Sequence, residues 1–343
     1  MSQTLDAVRA SIIQYCSIVG ADPLLVQGTG GNVSWKDGDT LWVKASGAWL
    51  AEAARKDVFV PVDLSHLRIA IESGDFSVIP RPCAGTTRRP SIETLLHALM
   101  PQRVVVHLHA VEILTHLVRD NCLTDFQTLI DSSVHWGMVD YHKPGASLAA
   151  AVSALLVQEK NIDVIFLKNH GVVIGGADVV EVNCVLSRLI SVLSTAPASI
   201  GSALPILSAE LSECAQYVPL QDVGVHQLAL NVDLFDRLSS DWALYPDHVV
   251  FLGSQANAYS TWESFREKKV KTEQPELVFI QGKGVFVRPD FSKAKQAQLR
   301  CYFDVLSRQG RCQAIRALTD VQISELLNWD AEQFRMNLSK QQS

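Results

Sequence analysis

Residues 103–109, RVVVHLH, are an apolar run that carries two histidines, His107 and His109. The run reads as a strand, and side chains two residues apart on a strand point to the same face. A chain like this must therefore bury a strand with two imidazoles side by side. Either both are core histidines with satisfied hydrogen bonds, or they hold something between them. The preceding segment, SIETLLHALMP (91–101), sharpens the question. It reads as a helix over 91–100, with Ser91 as N-cap and Pro101 ending it, and it sets one acid, Glu93, on an apolar element.

Around this pair, the first 200 residues alternate helix-like and strand-like patterns. The N-terminal stretch MSQTLDAVRASIIQYCSIVGAD is an amphipathic helix rather than a secretory signal. LLVQGTGGNVSW and TLWVKASG are short β-rich runs, with KDGD between them as a hairpin turn. Residues 147–159 read as a helix, DVIFLKNHGVVIGG as two strands around a polar turn, and 178–195 as another helix. The small, Pro- and Ser-bearing stretch 195–210 is the best linker candidate. Beyond it a second unit is expected: a helix, the strand DHVVFLG, a charged stretch, the hairpin ELVFIQGKGVFV and two terminal helices. FLKNHGVVI (166–174) and FIQGKGVFV (279–287) share apolar flanks, a polar centre and a glycine, which reads as a degenerate internal repeat with Lys283 in place of His170. The plainer alternative is that any hairpin with a glycine turn looks this way.

Composition narrows the function classes. At 48% hydrophobic and 19% charged residues, the chain has material for a substantial core and is not a disordered segment. Its net charge of −6 gives no electrostatic case for nucleic acid or an anionic membrane, so any bound anion must be held by local groups. Seven scattered cysteines with no C-x-x-C pair argue against a disulfide framework or a thiolate zinc site. No apolar run reaches the length of a bilayer span. A reduced, soluble, cytoplasmic protein is the expectation.

Glu93, His107, His109 and His170 are the candidate metal ligands. Three neutral imidazoles plus a carboxylate suit zinc or another divalent transition metal, two from one strand and a third from a distant turn. His97, one helical turn beyond Glu93, faces the same site or simply covers the helix surface. His116, His135, His142, His226 and His248 have no comparable partners nearby in sequence. A second group is anion-binding in character. GTGGNVSW brings Gly28, Thr29, Gly30, Gly31 and Asn32 into a turn whose amides can face a ligand. KASG adds Ser46, Gly47 and a lysine, and Ser91 adds a hydroxyl near a helix start. Arg88 and Arg89 add charge or are simply solvated. Together these residues suggest a phosphate pocket built from neutral donors.

In this order, GTGGNVS, KASG, SIETLLHALMP, VVHLHA and NHGVVIGG resemble the class II aldolase/adducin family over about residues 5–200. The family includes fuculose-phosphate and rhamnulose-phosphate aldolases. The resemblance implies a three-layer α/β/α domain around a largely antiparallel sheet, here 1–205, with a smaller α+β extension over 211–343. It implies a zinc-type ion on His107, His109 and His170, with Glu93 as catalytic acid/base and additional ligand. It also implies a phosphate cradle at the glycine-rich turn, the Ser-Gly turn and Ser91, a small phosphorylated sugar substrate, and a homotetramer. Two positions depart from the pattern: Ile92, where a second hydroxyl residue is common, and Leu108, where threonine is frequent. The extension is absent from the short aldolases.

The expected activity is aldol cleavage of a ketose phosphate through a metal-stabilised enediolate. Tyr141, in DYHKPG, is a guess for the general acid. A decarboxylase or epimerase of a sugar phosphate would use the same groups. A non-catalytic, adducin-like interaction protein is the rival from another class, and retention of the quartet argues against it.

Overall fold

In the computed structural model, which describes residues 5–198, 216–269, 274–311, 313–330, 332 and 334, the RVVVHLH run forms the strand Val104–Leu108. The first part of the chain runs α1 (Leu5–Ala21), β1 (Asn32–Asp37), β2 (Thr40–Lys44), β3 (Phe59–Asp63), α2 (Leu64–Glu72) and α3 (Thr94–Leu99). It continues with β4 (Val104–Leu108), α4 (Val111–Leu117), α5 (Cys122–Leu129), β5 (Trp136–Val139), α6 (Ala146–Gln158), β6 (Val164–Leu167), β7 (Gly171–Gly176) and α7 (Val179–Val192). Their strands form one sheet in the order β3-β2-β1-β4-β7-β6-β5, antiparallel except for the β5–β6 pair.

Alternation along β4 divides the layers. Val104, Val106 and Leu108 enter an apolar cluster with α1, α4 and α7. Val105 packs on the opposite face with Leu96, Met100 and residues of α6. Helices on both faces of a largely antiparallel sheet make the three-layer α/β/α arrangement. His107 follows Val105 by two, so it points to the side where α3 lies.

The second part runs β8 (Val218–Pro219), α8 (Gln227–Leu230), α9 (Val232–Arg237), α10 (Pro246–Leu252), β9 (Ala258–Tyr259) and α11 (Trp262–Lys269). It ends with β10 (Leu277–Ile280), β11 (Gly284–Val287), α12 (Lys293–Ser307) and α13 (Asp320–Leu327). Its sheet has the order β8-β11-β10-β9. Residues 199–210 of the linker candidate, with Cys214 and Cys312, lie outside the described residues. The described cysteines are free thiols. Among the described residues, no helix is long and apolar enough to cross a membrane.

Two local expectations are corrected. DHVVFLG is not a strand but helix α10, with Pro246 at the first helical position, Asp247 in the first turn and Gly253 at the C-cap with φ 91°. Start and stop signals of this kind outweigh the β-preference of two valines when the segment is buried, as Val249, Val250 and Phe251 are. Ser91 is not the N-cap of α3. The helix begins at Thr94, and Ser91 shapes the turn before it: its Oγ accepts from the Glu93 amide at 3.2 Å and its carbonyl accepts from the Thr94 amide at 3.1 Å.

The apolar core does not stop at the linker. One cluster contains Ile12, Val106 and Leu114 together with Val249, Phe279, Leu299 and Leu326. Polar ties add to it: Asn169 Nδ2 donates to the carbonyls of Leu244 (2.9 Å) and Arg316 (2.7 Å), and Arg308 pairs with Glu112 at 3.1 Å.

The two similar hairpins correspond closely. Leu167 pairs with Gly171 in one, and Ile280 with Gly284, 113 residues later, in the other. Asn169 (φ 53°) and Gly282 (φ 67°), again 113 apart, both adopt the left-handed conformation that closes the turn. Each hairpin has a parallel strand beside it, β5 or β9, and an antiparallel one on its other side, β4 or β8.

α1 closely approaches the short 3-10 turn Leu50–Glu52. A Cβ on Gly20 would lie 2.3 Å from the Ala51 amide nitrogen and 2.6 Å from the Leu50 carbonyl carbon. Gly20→Ala is expected to force these backbones apart and cost about 1–3 kcal/mol, the usual range for overpacking. Urea unfolding of parent and variant measures this, and an unchanged midpoint would refute the close approach.

Candidate metal centre

β4 ends by presenting His107, and His109 follows just beyond the strand. The β6–β7 turn delivers His170, and the turn into α3 delivers Glu93. The approach of that turn to β4 depends on Gly171, since a Cβ there would lie 2.4 Å from the Leu108 carbonyl oxygen. The three imidazole centroids are 4.9–5.3 Å apart, and one donor nitrogen from each ring lies within 4.8 Å of the others. All three histidines and Glu93 are buried.

Hydrogen bonding sets which atoms face inward. His107 Nδ1 lies 3.0 Å from the Val172 carbonyl, which can only accept, so Nδ1 carries the proton and Nε2 presents a lone pair. That Nε2 is 3.2 Å from His109 Nε2 and 3.4 Å from Glu93 Oε1. Glu93 Oε1 is also 3.2 Å from His170 Nε2, while Asn32 Nδ2 donates to the other oxygen at 2.6 Å. Burial drives the His107 pKa down to about 3, so the imidazole is neutral at neutral pH. For Glu93, burial pushes upward, and the carboxyl is held below its usual range only while positive charge sits among the surrounding rings. His107 Nε2 and Glu93 Oε1 are both acceptors at 3.4 Å inside an apolar layer, and they repel unless a proton from the neighbouring rings or a cation sits among them. The donor set, neutral nitrogens with one carboxylate, fits a divalent transition metal.

The family described as "Class II Aldolase and Adducin N-terminal domain" matches residues 10–190, more than half of the chain. The chain belongs to the class II aldolase and adducin family. An L-fuculose phosphate aldolase of Methanocaldococcus jannaschii is 30% identical over 169 residues, 47% of this chain and 80% of that protein. An uncharacterized oxidoreductase, YuxG, of Bacillus subtilis is 26% identical over 181 residues, 48% of this chain. The match spans only 26% of the length of YuxG. The solved N-terminal class II aldolase domain of a conserved Thermoplasma acidophilum protein is 25% identical with a TM-score of 0.47, covering 56% of this chain and 95% of that one.

Beside the imidazoles of this family member lies a cleft with about 30 Å³ of open cavity. Thr29, Gly30, Gly31, Asn32, Ser46, Gly47, Ser91 and Ile92 line it with Glu93, His109 and His170. Gly28 stands apart: its Cα faces Ala294 of α12. Lys44 is buried with its ammonium donating to the carbonyls of Thr29 and Ala48, both at 2.8 Å, so it braces the two turns.

Several candidates fall elsewhere. Arg88 and Arg89 line a neighbouring pocket, where the Arg89 guanidinium stacks 4.2 Å from the Phe334 ring. Tyr141 lines a third pocket with Lys168 and Arg316, away from the imidazoles, and burial raises its pKa. His97 is buried behind the site against Ser34 Oγ at 2.8 Å, and burial lowers its pKa to about 4. His116 bridges Asp125 at 3.0 Å and the Leu193 carbonyl, while His226 and His248 serve packing or backbone bonds, as when His226 spans the Leu220 carbonyl and the Val285 amide.

Sequence reasoning missed the wall supplied from beyond the linker. Pro246, Asp247 and Glu332 complete the cleft, and both carboxylates are buried. Asp247 Oδ2 lies 3.4 Å from His109 Nδ1. The helix-start signal around Pro246 was readable; its position beside His109 was not.

The purified protein is expected to retain one divalent ion per chain after dialysis, measured by elemental mass spectrometry. His107→Ala and His170→Ala are expected to abolish that stoichiometric ion while circular dichroism keeps the parent signature. Full metal content in either variant would remove that histidine from the centre.

Proposed function

We infer that the protein is a metal-dependent carbon–carbon lyase that cleaves a small phosphorylated sugar. Membership in the class II aldolase and adducin family supports the reaction class. The observation that carries the reading is Glu93 Oε1, set 3.2–3.4 Å from His170 and His107 while Asn32 ties down its partner oxygen. An interaction domain has no need for an acid clamped in that way.

His107, His109 and His170 would hold the ion, zinc by the nature of the ligands, with Glu93 adjacent. When bound, the divalent cation supplies Lewis-acid stabilisation of the negative charge that develops as the carbon–carbon bond breaks. Glu93 accepts or returns the proton at the reacting carbon or hydroxyl through Oε1. Its burial removes competing water, and the Asn32 amide fixes which oxygen reacts. The amides of the 29–32 turn, Ser46, Gly47 and the Ser91 hydroxyl form the cradle for the remote phosphate, so that binding energy there orients the reacting carbons. Ile92 offers no hydroxyl to that anion. Admission of a sugar requires the cleft to widen, because about 30 Å³ holds no more than a water or two. The homotetramer implied by the resemblance belongs to this proposal and is read by light scattering.

A panel of ketose phosphates and sugar-acid phosphates, assayed for aldehyde, carbon dioxide and epimer, tests the reading. Aldehyde release is the expected result; carbon dioxide or epimer alone would move the chemistry to decarboxylation or epimerisation at the same site. Glu93→Gln is expected to keep its metal and lose about 10²–10⁴-fold in kcat, the usual contribution of a general base. Turnover within a few-fold of the parent would take Glu93 out of the mechanism.

A further inference from the structure

We propose that Asp247, supplied by α10 from beyond the linker, is a positioning residue that holds the Nδ1 proton of His109 and so turns its Nε2 toward the metal. The inference rests on the reading of the three histidines as a metal centre. His107 already has such a partner in the Val172 carbonyl. His109 Nδ1 is buried without a hydrogen-bond partner, and Asp247 Oδ2 stands 3.4 Å from it, a few tenths of an ångström beyond an ordinary hydrogen bond. A carboxylate can only accept, so its presence selects the Nδ1–H tautomer and leaves Nε2 with its lone pair.

Three features make this a built contact. Asp247 is 3% exposed, in the first turn of α10. Gln298 Nε2 of α12 donates to the same Oδ2 at 3.2 Å and to the Gln27 carbonyl at 3.4 Å, which steers the carboxylate. Gly30 leaves the gap through which it reaches the ring: a Cβ there would lie 3.0 Å from Oδ2 and 3.3 Å from His109 Nδ1. The middle of the glycine-rich turn thus serves this contact as well as the cleft. Carboxylate or carbonyl partners of ligating imidazoles fix ring orientation and raise ligand basicity.

The experiment compares Zn²⁺ affinity, by competition with a chelating dye, and the visible spectrum of the Co²⁺-loaded protein. Asp247→Ala is expected to weaken Zn²⁺ binding about 10–100-fold, the range for lost partners of metal-ligating histidines, and to shift the Co²⁺ bands. Asp247→Asn keeps an acceptor oxygen without its charge and should fall between parent and alanine. Gln298→Leu, which touches neither histidine nor metal, should weaken binding by a smaller factor. Metal-free circular dichroism checks folding, and if Asp247→Ala does not fold, the other two variants carry the test. Parent affinity and an unchanged Co²⁺ spectrum in the folded variants would overturn the inference while leaving the metal centre intact. A parent that binds no metal would instead overturn the metal centre itself.

Discussion

Imidazole nitrogens and a carboxylate oxygen converging at 3.2–3.4 Å inside an apolar layer are the constraint on which this structure turns. Buried lone pairs and a buried carboxylate are stable only with a cation or proton among them. The surrounding fold holds them in that arrangement. Strand alternation sets His107 on the α3 side of the sheet with His109 just past the strand end, the missing side chain at Gly171 lets the His170 turn close on β4, and Asn32 restrains Glu93 from the neighbouring strand. Each of these is ordinary secondary-structure geometry, and together they hold four polar groups where an apolar core would be cheaper to build.

What was legible in the sequence was what short-range periodicity encodes. The two-residue spacing of His107 and His109 is a statement about one strand face; β4 ends at Leu108, and His109 stays beside His107 just past the strand end. The Asn-His-Gly turn announced itself through residues that tolerate or favour a left-handed backbone, and Asn169 adopts it. The glycine-rich turn was half legible. Thr29, Gly30, Gly31 and Asn32 line the cleft, while Gly28 and Gly30 answer to α12 and α10, hundreds of residues away along the chain. Local pattern cannot separate a glycine that admits a ligand from one that admits a neighbouring side chain. Asp247 was out of reach for a related reason: its segment looked like a strand, and nothing within ten residues refers to His109.

The second sheet matches the strand order and register around the first hairpin without its histidines. Val173 of β7 pairs with His107, and its counterpart Phe286 pairs with Pro219. Val-Pro-Leu-Gln at 218–221 therefore occupies the register of Val-His-Leu-His at 106–109, and Lys283 stands where the first hairpin has His170. A proline has no donor atom and a lysine is a cation, so this register cannot gather a metal ion. Its hairpin instead leads into α12, which packs against α10, and those two helices carry Gln298 and Asp247 to the back of His109. The same strand order thus appears in two sheets: one presents His107 and His170, and the other leads into the helix whose Gln298 meets Asp247 beside His109. A core continuous across both is what such a division requires, because a contact of a few ångströms cannot be held by two bodies free to shift against each other.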